Sequence, residues 1–581
     1  MKWWICRPYI SDTNRLTVRC FPKSQVCRTH CDTPDPPNSG QTKIGHRTLL
    51  RLGEVTWLRD TGQLERIVAA LESHLERDLV DVAALDATDV PEVGGLAAVW
   101  TLWQRLGLDD WFAKVRAERG AEVLEHAVFA MVANRLLAPS SKRALGEWTD
   151  RDVVMPAGWE TPSLDQYYRA LDAVADAKET TETQLYARLT DLTNLDLRLV
   201  MYDLTSTYFE GSSTPSTRFP SRAFGYSRDR RSDRPQVVIG LLCTGDGVPI
   251  AHHVFAGNTA DVATLPGVLE DLATRFGVGR VCVVADRGLI SADNVEILDG
   301  HGFAHVLATR LHRDPTCAAA LEAASRDDVV WVEMPDSSCT ACEVSVDERR
   351  CVVVSSPERL ARDTVRTAEL VARTEAKLVA LEWRVRDGLL TDPGKIGRAA
   401  QRILGPSGVG RLFDVEIGPG RFVYHYNDTA FAYEDTLAGH YVLTTSLTPV
   451  EASTVQVVSA YQQLQQIEAR FRVLKDFLHL RPVRHFTEQR VRGHIAICVY
   501  ASILEALIAA DLRTGDMRDP DLPDQHLSAA RALRELGRIR AVTLDAAGRT
   551  INVVTRRSTL QARILRALHV DTHPWDRAHI T

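Results

Sequence analysis

Between about His46 and Asn194, apolar side chains return every three or four residues. TGQLERIVAALESHLERD, GLAAVWTLWQRLGL, AEVLEHAVFAMVANRLLA and SLDQYYRALDAVADA each carry that stripe, the period of a helix with one buried face. Ser163 stands where the last of them needs an N-cap. At LDLRLVMYDLTSTYFEG (195–211) the pattern changes to short β-type runs, continued by PQVVIGLLCT, VPIAHHVFAG, RVCVVADRG and FAHVLATRL. One amphipathic helix, ATLPGVLEDLATRFG, interrupts them, so a mixed α/β sheet is predicted.

Residues 313–439 read as an insertion. Strand-like pieces (VVWVEMP, CEVSVDERRCVVVSS, FVYHYNDTAFAYED) surround a long charged helix, RTAELVARTEAKLVALEWRVRDG. GPSGVGR lacks the Lys-Ser/Thr of a P-loop and reads as a loop. HYVLTTSL then returns as a strand. Thr448-Pro449-Val450-Glu451 has the form of a capping box and predicts the start of a helix running through YQQLQQIEARFRVLK (461–475). An apolar helix over 495–512, a hairpin-like TLDAAGRTINVVTR and the amphipathic STLQARILRALHV follow. The predicted division is a poorly ordered 1–46, a helical 47–194, a sheet region 195–312, the insertion 313–439, a last strand and helix 440–512, and a C-terminal region 513–581.

A chain of 581 residues exceeds what one core supports, and 45% hydrophobic with 25% charged residues is ordinary globular composition. The net charge of −7 gives no global signature of nucleic-acid binding, so any such binding must rest on local basic patches. Two exist. Residues 215–235 hold six Arg against two Asp, and residues 468–492 hold seven Lys/Arg against three acids. Arg228, Arg230 and Arg231 in the first, and Arg472 in the second, are candidate phosphate contacts. IAICVYASILEALIAA contains Glu505 and is shorter than a membrane span, so it predicts a buried helix. MKWWICRPYISD lacks a sustained apolar stretch, which fits a cytoplasmic protein. Cys6, Cys20, Cys27 and Cys31 do not form two tight pairs, and Cys339-x-x-Cys342 has only Cys351 nearby. Free thiols are the expectation at both places.

The candidate chemistry is carboxylate chemistry. Asp203 ends the apolar run RLVMYD, and Asp286 ends RVCVVAD. An acid where a buried strand emerges points into the crevice at the strand ends, although a single such Asp more often caps a turn. Tyr461, Glu468 and Lys475 follow at intervals of seven, only about 20° apart per step around a helix. Leu464 and Arg472 flank that stripe. A solvated helix face is the plain alternative. Asp, Asp and Glu on three elements suit two divalent metals about 3.5–4 Å apart, which activate an attacking oxygen and stabilise a leaving one in phosphodiester transfer. Mg²⁺ needs few protein carboxylates because it keeps several waters. His252 and His253, adjacent on a strand, face opposite ways and cannot share a metal. Asp261 reads as a turn residue that bonds backbone amides.

The late helix resembles the Y-(2)-R-(3)-E-(6)-K signature of DDE transposases from bacterial insertion sequences. Tyr461, Glu468 and Lys475 match it, and Leu464 stands at the Arg position. MYDLTSTYFEG, GNTAD (257–261), ADRGLIS and ANRLLAPSSKRALGEW add to the likeness, which spans roughly 47–570. Residues 1–46 depart from the strand-rich opening usual in such proteins. The resemblance implies an α/β multidomain chain with an RNase H-like catalytic core, interrupted by a β-rich insertion and preceded by a helical DNA-binding region. It implies Asp203, Asp286 and Glu468 as catalytic and metal-holding acids for two Mg²⁺ ions, with Mn²⁺ as substitute. It also implies Tyr461 and Lys475 on DNA phosphates, and a homodimer that cuts element ends and joins the 3′-OH to target double-stranded DNA. Trp331 and Trp383 lie where related enzymes set an aromatic against an unpaired base, though packing is the plainer reading. The location implied is the bacterial cytoplasm, at the nucleoid. Alternatives are an inactive relic that only binds DNA, or a metal-dependent nuclease without strand transfer.

Overall fold

The structure, a computed structural model, describes residues 4–10, 15–22, 47–67, 85–119, 123–193, 199–210, 219–276, 281–289, 291–309, 314–335, 337–546 and 549–570. Two compact units are present. One comprises Met1–Thr88 with Thr543–Asn552, the other Asp89–Val542 with Val553–Thr581.

In the first unit, β1 (Trp4–Ile10), β2 (Arg15–Pro22) and β3 (Arg47–Glu54) form an antiparallel sheet in that order. β3 stands where helix was expected from residue 47. β1 is an edge strand, which tolerates Pro8, and its seven residues pair one-to-one with β2. Residues 23–46, with Cys27 and Cys31, lie outside the described residues. β4 (Leu85–Asp89) follows.

The second unit is built on a nine-stranded mixed sheet. Its strands are β5 (Leu199–Tyr208), β6 (Gln236–Thr244), β7 (Pro249–Ala256), β8 (Cys282–Ala285), β9 (Ala304–Ala308), β10 (Val332–Glu333), β11 (Thr340–Val346), β12 (Arg349–Ser355) and β15 (His440–Thr445). The order is β10-β11-β12-β15-β9-β8-β5-β6-β7. β5, β8 and β9 are mutually parallel, and every other neighbouring pair is antiparallel. Strands at 332–355 therefore extend the central sheet, and the sheet passes the boundary expected at 313. What stands apart is the later segment. There helices Pro357–Arg386, Pro393–Leu404 and Asp428–Leu437 enclose the hairpin β13 (Phe413–Gly418) and β14 (Arg421–Tyr426) over a core of Leu378, Leu381, Ile396, Leu412 and Phe422. DTAFAYED, read as strand-like, is helical because Asn427 caps it, accepting from the Ala430 amide at 2.8 Å.

Strand alternation sorts the sheet into two faces. Met201, Val237, Ile239, Leu241, Cys282 and Val284 point to one core, and Val200, Tyr202, Leu204, Val238, Val283 and Ala285 point to the other. Helix Leu265–Arg275 packs in the second core through Leu265, Val268, Leu269 and Leu272. The first core is dominated by helix Glu488–Thr514, longer than the predicted 495–512 and capped by Thr487. By length and composition it could cross a membrane, with a mean hydropathy of 2.0, but 83% of its apolar window is buried inside the protein. It crosses helix Leu164–Asp176 so closely that a Cβ on Gly493 would stand 2.1 Å from the Leu171 carbonyl oxygen, which admits only glycine. The predicted Ser163 cap is present as a full capping box with Gln166. Near the chain end, the hairpin read from TLDAAGRTINVVTR forms as β16 (Ala541–Ala546) and β17 (Arg549–Val554), joined to β4 in the order β17-β16-β4.

Candidate active site

Asp203 and Asp286 are neighbours by strand register. β5 and β8 run parallel with Tyr202 opposite Ala285, so the next residue on each is an aspartate. Alternation sets both on the face of Met201 and Val284, because Tyr202 and Ala285 belong to the opposite core. β5 is fixed beside its other neighbour by Gly240, where a Cβ would stand 2.5 Å from the Tyr202 hydroxyl.

The third acid comes from the segment after β15, which is not the single helix the spacing predicts. Thr448 and Glu451 do bond each other, with the Thr448 amide and hydroxyl each 2.9 Å from the Glu451 carboxylate, but they close a turn. The helix begins at Thr454, capped by Ser453 with Gln456, and stops at Gln462. A second helix, Leu464–Arg472, carries Glu468, and Val473–Phe477 then widens into a π-type turn. The break and the widened turn abolish the straight stripe of sevens. Helix Leu464–Arg472 lies over β5 and buries Ile467 and Phe471, leaving Glu468 exposed on the side of the two aspartates. Leu464 is half-buried against the same core, so the position of the expected Arg faces packing rather than a phosphate.

The acids act on one another. Asp203 is pushed up to about 7, first by burial, then by the negative charges of Asp286 and Glu468, against the lowering effect of the Leu204 amide and Arg228. The Leu204 N–H donates to Asp203 Oδ1 at 2.7 Å. Tyr461 donates to Asp286 Oδ1 at 3.4 Å, and its ring lies 5.6 Å from that of Tyr441. Among the described residues no three His, Cys, Asp or Glu side chains already stand as a closed ligand set. The donor chemistry nevertheless fits a divalent cation: hard carboxylate oxygens, surplus negative charge, and an aspartate whose ionised form lacks compensation.

The other predicted contacts are distributed unevenly. Arg228 stands near Asp203 and donates to Asp261 Oδ1 at 2.7 Å, while its amide donates to Ser206 Oγ at 3.1 Å. Asp261 thus holds a guanidinium, where backbone amides were expected. Lys475 is not aligned with Glu468. Its Nζ lies 2.7 Å from Asp229, a 3%-exposed carboxylate that also pairs with Arg481. Burial holds Lys475 below the usual lysine range, against the raising effect of Asp229. Arg231 is engaged by Asp233 at 2.9 Å and lies 5.0 Å over the Tyr208 ring. Arg230 and Arg472 are exposed. His252 and His253 do diverge, to Glu182 at 2.7 Å and Asp271 at 3.2 Å.

Sequence reading missed two features. Asp229, hidden among arginines, organises the basic loop. Helices Pro357–Arg386 and Pro393–Leu404 form a cleft lined by Lys377, Arg384, Lys395, Arg398 and Arg402 without an acid. Its signal was available as cations at i, i+7 on the first helix and i, i+3, i+7 on the second. Trp383 on the first helix is half exposed, and Trp331 lies just before edge strand β10.

With two aspartates side by side and a glutamate opposite, comparison with known proteins is decisive. The family model described as transposase DDE domain matches residues 202–504. The chain belongs to that family. The matched span contains all three acids of this transposase. Among solved structures it is similar to the piggyBac transposase synaptic complex with hairpin DNA, at 10% identity and a TM-score of 0.34, covering 71% of this chain and 70% of that one. It is also similar to the Mos1 transposase paired-end complex with left transposon end, at 15% identity and a TM-score of 0.14. That match covers 34% of this transposase and 56% of the Mos1 chain. No curated protein matches.

Proposed function

We propose that this transposase cleaves the ends of a mobile DNA element and joins the freed 3′-OH to target DNA, using an RNase H-like core with Asp203, Asp286 and Glu468 as catalytic acids. The observation that carries this reading is the register that sets Asp203 beside Asp286 beneath Glu468, within the matched domain. The three carboxylates would hold two Mg²⁺ ions, with Mn²⁺ as substitute. Such ions, when bound, polarise the scissile phosphate and lower the pKa of an attacking water or 3′-OH. The chain's own groups do the rest. Tyr461 orients the Asp286 carboxylate, Arg228 offsets charge beside Asp203, and Arg470 anchors the Glu468 helix through Glu505. In-line transfer of this kind needs positioning and charge stabilisation, with no covalent enzyme intermediate.

Arg230, Arg472 and the acid-free cleft of the insertion are the surfaces we assign to DNA backbone, with Lys475, Arg228 and Arg231 released from their acids when phosphate arrives. We assign the work to a homodimer at the bacterial nucleoid.

The test uses the full chain with duplexes carrying the sequences that flank its gene. Cleaved and joined products should form with Mg²⁺ or Mn²⁺ and vanish with EDTA. Asp203→Asn, Asp286→Asn and Glu468→Gln should each abolish cleavage and retain binding. Cleavage in EDTA, or in any of the three variants, refutes the assignment. Binding without cleavage points to a relic, and cleavage without joining to a nuclease.

A further inference from the structure

Away from the three acids, basic side chains gather where helix Leu124–Leu137 and the turn after it meet the segment behind Phe477 and helix Glu488–Thr514. Arg135, Lys142 and His494 are 7%, 6% and 4% exposed. Arg135 Nη1 donates to the carbonyls of Leu478 and His479 at 3.4 and 3.3 Å, and Nη2 to that of Ser140 at 2.9 Å. His494 Nε2 lies 3.2 Å from the Leu480 carbonyl oxygen. The His485 ring is 5.3 Å from that of His494 and 6.2 Å from that of Tyr168, over which Arg490 lies at 4.8 Å.

Among the described residues, no carboxylate is paired with Arg135, Lys142, His485 or His494. After burial, the charges acting on Lys142 are Arg135 and the Cys498 thiol. Those on His485 are Lys142, Arg135 and Arg490, and those on His494 are Arg135, Lys142 and His485. The carboxylate of Asp172, 3.5 Å from Arg490, belongs to the rim. Two buried donors have no partner among the described residues, Arg135 Nε and Asn134 Nδ2. Burial first, and then the neighbouring cations, hold Lys142, His485 and His494 well below their usual ranges, so their charged forms lack a partner that an incoming anion would supply. The cluster lies just beneath the surface, since Ser141, Arg143, Arg484 and Phe486 beside it in the chain are exposed. Arg143 and Arg484 would draw a polyanion towards it.

We propose that Arg135 and Lys142, flanked by His485 and Arg490, form a receptor for one phosphate group, and that its occupant is a phosphodiester of bound DNA. Lysine supplies a point charge and arginine a directed donor, the pairing that phosphate oxygens recognise. Only the source of the phosphate rests on the transposase reading.

The experiment combines thermal unfolding with DNA binding for wild type, Lys142→Met and Lys142→Arg. Inorganic phosphate, against chloride of equal ionic strength, should raise the melting temperature of wild type and Lys142→Arg by several degrees, and leave Lys142→Met unmoved. In chloride, Lys142→Met should be at least as stable as wild type, because a buried amine that burial holds below its usual range has gone. The slope of log affinity against log salt for duplex DNA should fall in magnitude by about one in Lys142→Met and stay unchanged in Lys142→Arg. A phosphate response without that slope change overturns DNA as the source. An unchanged phosphate response in a destabilised Lys142→Met, or none in wild type, overturns the receptor. If Lys142→Met does not fold, phosphate-insensitive melting of Lys142→Arg overturns it equally. Because these readouts need no cleavage, an inactive wild type would strike the catalytic reading alone.

Discussion

Arg470 and Glu505 pair between the short helix that carries Glu468 and the long apolar helix of the core, with side chains only 12% and 9% exposed. The pair explains why a carboxylate interrupts an otherwise apolar run, and it clamps the Glu468 helix over β5. Arg470→Ala strands a buried carboxylate and should cost about 3–5 kcal/mol in urea unfolding. The double variant Arg470→Met/Glu505→Leu should recover most of that loss, and additive losses would show that the two do not act as a pair.

Asp203 titrates near 7, far above an ordinary aspartate at 3.8. Because its folded value is the raised one, its contribution to stability is fully present below about pH 4 and is lost as pH rises through 7. Metal-free wild type should therefore lose stability between pH 4 and 8 relative to Asp203→Asn, by on the order of 4 kcal/mol at pH 8. Melting temperatures across that range, with and without Mg²⁺, measure this. Divalent metal should stabilise wild type at pH 8 and leave Asp203→Asn little changed.

Tyr461→Phe removes the hydrogen bond to Asp286 and keeps the ring against Tyr441. Cleavage should fall about tenfold or less, with under about 1 kcal/mol lost from stability. A loss as complete as that of an acid variant would give the hydroxyl a direct part in the chemistry.

Asp229 holds Lys475 and Arg481 together. Asp229→Asn should release both cations, tighten nonspecific duplex binding and steepen its salt dependence by about one phosphate equivalent. Filter-binding titrations over salt give the slope, and an unchanged slope would mean that these cations face away from DNA.

Leu464→Arg places a guanidinium at a half-buried position against the core. It should destabilise the protein by about 1–3 kcal/mol without improving DNA affinity, which paired melting and binding measurements decide.

Local signals in the chain were reliable wherever short-range physics governed. Period-two runs announced β5 to β8, the Ser163 cap appeared as read, and both aspartates were legible as the polar residues that end apolar strands. The hairpin strands at 332–355 were also visible, yet not their membership of the central sheet, since strand pairing across some hundred residues leaves no local trace. The straight stripe through Tyr461, Glu468 and Lys475 assumed continuous helical rotation. The break at Gln463 and the π-type turn after Arg472 answer to the core beneath them, through Ile467, Phe471 and Leu474.

The sequence by itself determined the acids, the basic segments and the kind of element each occupies, because side-chain period and capping are properties of neighbouring residues. Only the tertiary structure decided that Asp203 and Asp286 share a register, that Lys475 answers to Asp229, and that Arg135 and Lys142 meet without an acid. Those relationships depend on which distant surfaces pack together, and burial sets the strength of every charge interaction among them.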